Sequence, residues 1–245
     1  MSRKTKRNQP NPQDPQAAGA GASPGSETRR WVLIIGSVVA LLVIAAVAMI
    51  VADEKSQQAP QVAASANADD AALASEHAPQ LGDPAARVHI VEFLDPACET
   101  CALFYPVVKQ MLADNPGRIR VSLRHVALHE GSDYVVALLE ASRKQGKYWE
   151  TLEALFASQS QWAVNHTVQP DLALQAVTGI GLNLGQLMAD MSAPDVVERV
   201  QRDRADAMAL KVTATPEYFV NGRPLPSFGQ QQLLDLVAEE LQRAY

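Results

Sequence analysis

Apolar and polar positions divide the chain into contrasting stretches. From Trp31 to Ala52 the sequence is predominantly apolar and carries no charge over 22 residues. As a helix rising about 1.5 Å per residue it covers about 33 Å, enough for a hydrocarbon core of about 30 Å. This predicts a transmembrane helix at 31–52. Residues 8–28 are Pro, Gln, Gly, Ala and Ser without apolar periodicity, so residues 1–30 read as a disordered tail. Residues 53–83 hold almost no large apolar side chain and read as a flexible tether. At about Ala85 the texture changes. Val88, Ile90, Val91, Phe93 and Leu94 form a dense run broken by Glu92, as in a strand buried on both faces, predicted over 87–94. Phe104, Val107, Val108, Met111 and Leu112 then recur at helical spacing until Asn115-Pro116-Gly117 stops them. Between Arg118 and Val126, Ile119, Val121 and Leu123 alternate with Arg118, Arg120 and Arg124, predicting a second strand with the arginines outward. Strand, helix and strand make a β-α-β unit with a parallel pair.

The middle reads as helical. Val135, Leu138 and Leu139 follow a cap expected at Ser132, Trp149, Leu152, Leu155 and Phe156 mark another helix, and further helices are expected at 171–179, 184–191 and 194–210. Tyr218-Phe219-Val220, Asn221-Gly222 and Arg223-Pro224-Leu225 read as strand, type I′ turn and strand. Leu233, Leu234, Val237 and Leu241 close the chain in a helix. The whole is an α/β domain at 84–245 of single-domain size, with a helical block at about 130–192.

Charge adds an orientation. Six basic residues against Asp14 and Glu27 precede the apolar run, a net of +4, whereas 53–245 carry 15 basic and 25 acidic residues, a net of −10. The positive-inside bias sets the N-terminus in the cytoplasm and the domain across the membrane, in the periplasm or outside. Ala46-Val47-Ala48 resembles a signal-peptide cleavage site, but the leader is long and the apolar run continues beyond it, which favours an uncleaved anchor. The acidic balance lacks the electrostatic footprint of a nucleic-acid binder, so none is expected as a partner.

The two cysteines, Cys98 and Cys101, are the candidate chemistry. A disulfide between them closes so short a loop that it restrains the unfolded chain by only about 2 kcal/mol, which makes it a weak staple. It follows a buried strand at the first turn of a helix, where free N–H groups and the macrodipole favour an anion. Cys98 is therefore expected to titrate low and to attack, with Cys101 one turn inside to resolve the mixed disulfide. The alternative is a soft-metal site, as in a copper chaperone, with His125 and His129 as candidate histidines. Nothing in their spacing directs either to Cys98, and no metal ligand is assigned.

Val91-Glu92-Phe93-Leu94-Asp95-Pro96-Ala97-Cys98-Glu99-Thr100-Cys101 resembles the active-site segment of the DsbA-type branch of the thioredoxin superfamily. Gln145-Gly146-Lys147-Tyr148-Trp149-Glu150 resembles its helical-domain motif, and Thr213 to Gly222 is similar to its cis-proline loop. The likeness covers residues 80–245. It implies a thioredoxin-like fold with an inserted helical domain, and a redox-active Cys98–Cys101 disulfide with no other cofactor. It implies a cis bond before Pro216, with the Thr215 backbone pairing a client strand. Glu92 matches the family's buried acid, whose raised pKa would let it pass a proton as Cys101 is released; the alternative is a strand-edge carboxylate facing water. Pro106 matches a kinking proline. The expected partners are unfolded or flexible cysteine-containing clients and a membrane redox partner, either a quinone-linked oxidase or a transmembrane thiol reductase. A monomer is expected, since 53–83 lack the strands of a dimerisation domain. The strong oxidants carry Pro-His between the cysteines, where this chain has Glu99-Thr100. A carboxylate beside the thiolate and the loss of a cationic donor predict a weaker oxidant.

Overall fold

The computed structural model describes residues 43–47, 49, 69–74 and 76–245. The chain divides into two units, Met1–Pro60 and Gln61–Tyr245. In the first, residues 43–47 and 49 are helical, and the rest of the expected span at 31–52 lies outside the described residues. Among the described residues no helix is long and apolar enough to cross a membrane.

The second unit is built on a five-stranded sheet. Its strands are β1 (Gln80–Gly82), β2 (Val88–Leu94), β3 (Ile119–His125), β6 (Glu217–Val220) and β7 (Arg223–Pro224), in the order β1-β3-β2-β6-β7. β4 (Ala163–Val164) and β5 (Thr167–Val168) form a separate hairpin. β2 lies parallel to β3 and antiparallel to β6, as the β-α-β reading requires. The connecting helix α1 (Glu99–Asp114) carries Pro106 within it. Then come α2 (Ser132–Ser142), α3 (Tyr148–Ala157), α4 (Gln159–Trp162), α5 (Pro170–Ala176), α6 (Leu184–Asp190) and α7 (Pro194–Ala209), and α8 (Gln230–Ala244) closes the chain. Asn221 and Gly222 both have positive φ between paired strands, as a type I′ turn demands.

The larger core cluster joins Ile90, Leu94, Cys101, Val108, Val121, Tyr218 and Leu233 to the helical block through Leu139, Leu152 and Trp162. A smaller cluster on the other side holds Val91, Phe93, Phe219, Ala207 and Leu73. Successive residues of β2 thus enter different clusters, which is why its pattern is nearly continuous.

Three expectations are corrected. Residues 69–73 are helical with Ala72 and Leu73 buried, and 80–82 form β1, so ordered chain reaches into the stretch assigned to the tether. Arg124 does not face solvent. It is fully buried, and Nε and Nη2 donate to Asp203 and Asp206 of α7, which covers that face of β3. Ser132 is not the cap of α2: Gly131 takes that position at φ 75, a left-handed backbone that suits glycine, and Ser132 is spent on another contact.

Candidate active site

β2 delivers the chain to a tight turn at Asp95-Pro96-Ala97, and α1 leaves it immediately. The Cys98 amide closes the turn by donating to the Asp95 carbonyl at 3.0 Å. The Asp95 carboxylate is wholly buried and holds the surrounding loops together. It accepts from the amides of Ala97, Leu128 and His129, from His129 Nδ1 at 2.8 Å and from the Ser132 hydroxyl. From the helical block, the buried Gln159 amide donates to the carbonyls of Pro96 at 2.8 Å and Cys98 at 3.0 Å. The turn is therefore clamped from both sides.

Cys98 is the N-cap of α1, with extended backbone. Its thiol donates to the Thr215 carbonyl at 3.2 Å, and the Thr215–Pro216 bond is cis. The cis-proline loop and the cysteine turn, 117 residues apart in sequence, thus meet where the family likeness implies. Cys98 titrates at about 5, far below an ordinary thiol. The chief cause is a hydrogen bond from the Cys101 thiol; burial opposes it, and the Thr215 side chain and the amides of Cys101 and Thr100 assist. Those amides belong to the open first turn of α1, as the sequence reading required. Cys101 is fully buried and its pKa is driven well above that of a free thiol, by burial first and then by Cys98 and the charge of Glu92.

Glu92 does not lie at a wet strand edge. It is 1% exposed and its pKa is pushed up to about 8, mainly by burial; a hydrogen bond from Tyr218 pulls the other way, and Cys98 adds to the rise. Glu99, the residue next to Cys98, finds a partner on another element. Its carboxylate is half-exposed and turns to His166 Nδ1 at 3.3 Å, on the tip of the β4–β5 hairpin. His166 in turn stacks on His129, with ring centroids 5.4 Å apart.

The two histidines weighed as metal ligands are tied to carboxylates. His129 binds Asp95, while His125 is buried against Glu140 at 3.2 Å and receives or donates a hydrogen bond with Tyr148 at 2.8 Å. Gln159, His166 and Tyr218 went unnoticed in the sequence as site residues. No motif marks the first two; a tyrosine directly after the proline loop is the one visible signal.

The sequence profile described as Thioredoxin matches residues 74–238. The chain is 29% identical over 162 residues to the Na(+)/H(+) antiporter NhaA of Herminiimonas arsenicoxydans, covering 66% of this chain and 25% of that protein. It therefore spans about a quarter of that relative's length. Against the probable disulfide bond formation protein D of Bacillus cereus it is 25% identical over 198 residues, covering 77% of this chain and 86% of the other. Among solved structures, a thioredoxin-like oxidoreductase from Silicibacter pomeroyi superposes with a TM-score of 0.62 at 29% identity, over 72% of this chain and 98% of that one.

Proposed function

The chain belongs to the thioredoxin family, and we propose that it is a disulfide oxidoreductase that exchanges disulfides with client proteins through Cys98, on the outer side of a membrane. The observation that carries this reading is the contrast between two thiols on one helix, one held near pKa 5 at an open N-terminus and one buried and strongly basic. Cys98 is then the sulfur that clients attack and that leaves readily, while Cys101 takes the opposite part. When a client thiolate attacks Cys98 of the disulfide, the S–S bond breaks and its electron pair leaves on Cys101, which takes up a proton. A second client thiol then displaces Cys98 as a thiolate and carries away the disulfide. Glu92, protonated at neutral pH, is the proton source for Cys101.

Clients are flexible cysteine-containing chains whose main chain pairs with the backbone at Thr215. A small pocket of about 90 Å³ bordered by Pro216, Glu217, Tyr218, Leu225 and the exposed Phe228 supports this, since it offers a shallow rest beside the cis-proline without a deep specificity pocket. The membrane anchor at 31–52 rests on the uncharged apolar run and the charge asymmetry about it. A membrane redox partner renews the pair, and its redox state in the cell assigns the direction: disulfide for an oxidase, dithiol for a reductase.

The Cys98 pKa also bears on potential. It lies between the values of about 3.5 for a strong periplasmic oxidant and about 7 for thioredoxin. Stabilising the thiolate stabilises the reduced form, so the expected potential falls between about −120 and −270 mV. Equilibration with glutathione measures it, and a potential at the oxidising end would remove the part given to Thr100. The exchange itself is tested by Cys101→Ser, which should accumulate covalent client adducts through Cys98 that reductant releases. An adduct-free Cys101→Ser protein would refute the reading.

A further inference from the structure

Glu92 and Tyr218 are direct register partners across the antiparallel β2–β6 pair, so their side chains leave the sheet on one face. That face lies under α1, for the ring of Phe104 sits 6.1 Å from that of Tyr218. The Tyr218 hydroxyl donates to Glu92 Oε1 at 3.1 Å, whereas Oε2 is buried without a hydrogen-bond partner among the described residues. On the other side of β2, the register partner of Glu92 is Leu123, which offers neither charge nor hydrogen bond. The titratable groups around the carboxyl are thus Tyr218 from β6 and Cys98, Cys101 and Tyr105 from α1. Tyr218 is itself shielded from water, and its own proton is bound more firmly than in free tyrosine, so it remains a donor at neutral pH.

We propose that Tyr218 is a positioning residue for the resolving half of the exchange: by engaging Oε1 it leaves Oε2 as the oxygen that passes a proton to Cys101, and it stabilises the carboxylate that results. This rests on the reading that Cys98 and Cys101 exchange disulfides. A client thiolate bonds to Cys98 Sγ, the Cys98–Cys101 bond breaks with its electron pair on Cys101 Sγ, and the proton of Glu92 Oε2 moves to that sulfur. The products are the mixed disulfide at Cys98, a thiol at Cys101 and a carboxylate at Glu92 that solvent reprotonates. A hydroxyl that strengthens its bond as the charge appears favours this transfer.

Tyr218→Phe removes the hydroxyl and keeps the ring. A ¹³C titration of the Glu92 carboxyl, assigned with Glu92→Gln, should move from about 8 upward by about one pH unit, or about tenfold in proton affinity. The pH profile for formation of the mixed disulfide with a cysteine peptide should shift by the same amount. Adding Glu92→Gln should abolish that shift. An unmoved carboxyl titration in Tyr218→Phe overturns the proposal, as does a shift of the profile that persists when residue 92 is Gln. A wild-type protein that forms no mixed disulfide while its carboxyl still responds to Tyr218→Phe overturns instead the exchange reading beneath it.

Discussion

Cys98 and Cys101 carry one functional group three residues apart on a single helix, yet their surroundings separate their acidities widely. The outer sulfur accepts a hydrogen bond from the Cys101 thiol and meets amide donors at an unfinished helix end, and the inner one is buried among apolar side chains beside its neighbour and a buried acid. In the reduced protein, iodoacetamide should therefore label Cys98 with a midpoint near pH 5 and leave Cys101 unmodified until the protein unfolds. Peptide mass mapping across a pH series reads both. Labelling of Cys98 that begins only near the pH of a free thiol would mean that neither the Cys101 hydrogen bond nor the helix terminus acts on it. The residues of this pair, and the turn geometry they imply, were legible in the sequence because C-x-x-C after a buried strand fixes both. The acid that faces them was legible as a charge in an apolar run. Its partner Tyr218 was not, because the pairing is set by cross-strand register rather than by spacing along the chain.

Elements differ in how visibly they were written. β2, α1 and β3 each repeat an apolar period over several residues, and the structure follows those predictions within a residue or two. β1, β4 and β5 have two or three residues each, too few to carry a period, and exist because a neighbouring element supplies their hydrogen bonds. The short helix α4 is similar, and it holds the Gln159 amide against the cysteine turn. Gln159→Ala removes both bonds, taking from the Pro96 carbonyl its Gln159 donor while the Cys98 carbonyl keeps the Ala102 amide, which should lower stability by about 1–3 kcal/mol. Hydrogen exchange at the amides of Ala97 to Thr100 should quicken in parallel. Unchanged exchange there would show that the turn is held by Asp95 alone.

Across the whole folded unit, buried charge joins the sheet to the helical block. Arg124 and His125 at the end of β3 meet Asp203 on α7, and Glu140 on α2 meets His125 and the guanidiniums of Arg143 and Arg199. Burial alone would raise the Glu140 pKa, but the close contact with His125 and the guanidiniums outweigh it and hold it down to about 2. The folded pKa lies below the unfolded value, so the unfolded state binds more protons between the two. The stabilisation is complete above about pH 4.5 and fades as the pH falls toward 2. Glu140→Gln should therefore lower the thermal midpoint at pH 7 and flatten its decline over that acid interval. An acid limb as steep in Glu140→Gln as in the wild type would assign the sensitivity to another group.

Local sequence determined the α/β order of elements, the cysteine turn and the membrane-length apolar run, because each is written in contiguous spacing and short-range sterics. Tertiary structure alone decided that Arg124 turns inward to Asp203, that Glu99 is diverted to His166 and that Tyr218 holds Glu92. Those pairings join residues up to 126 positions apart. A charge or hydroxyl acquires its role only from the partner that the packed fold brings to it, and no local pattern encodes that meeting.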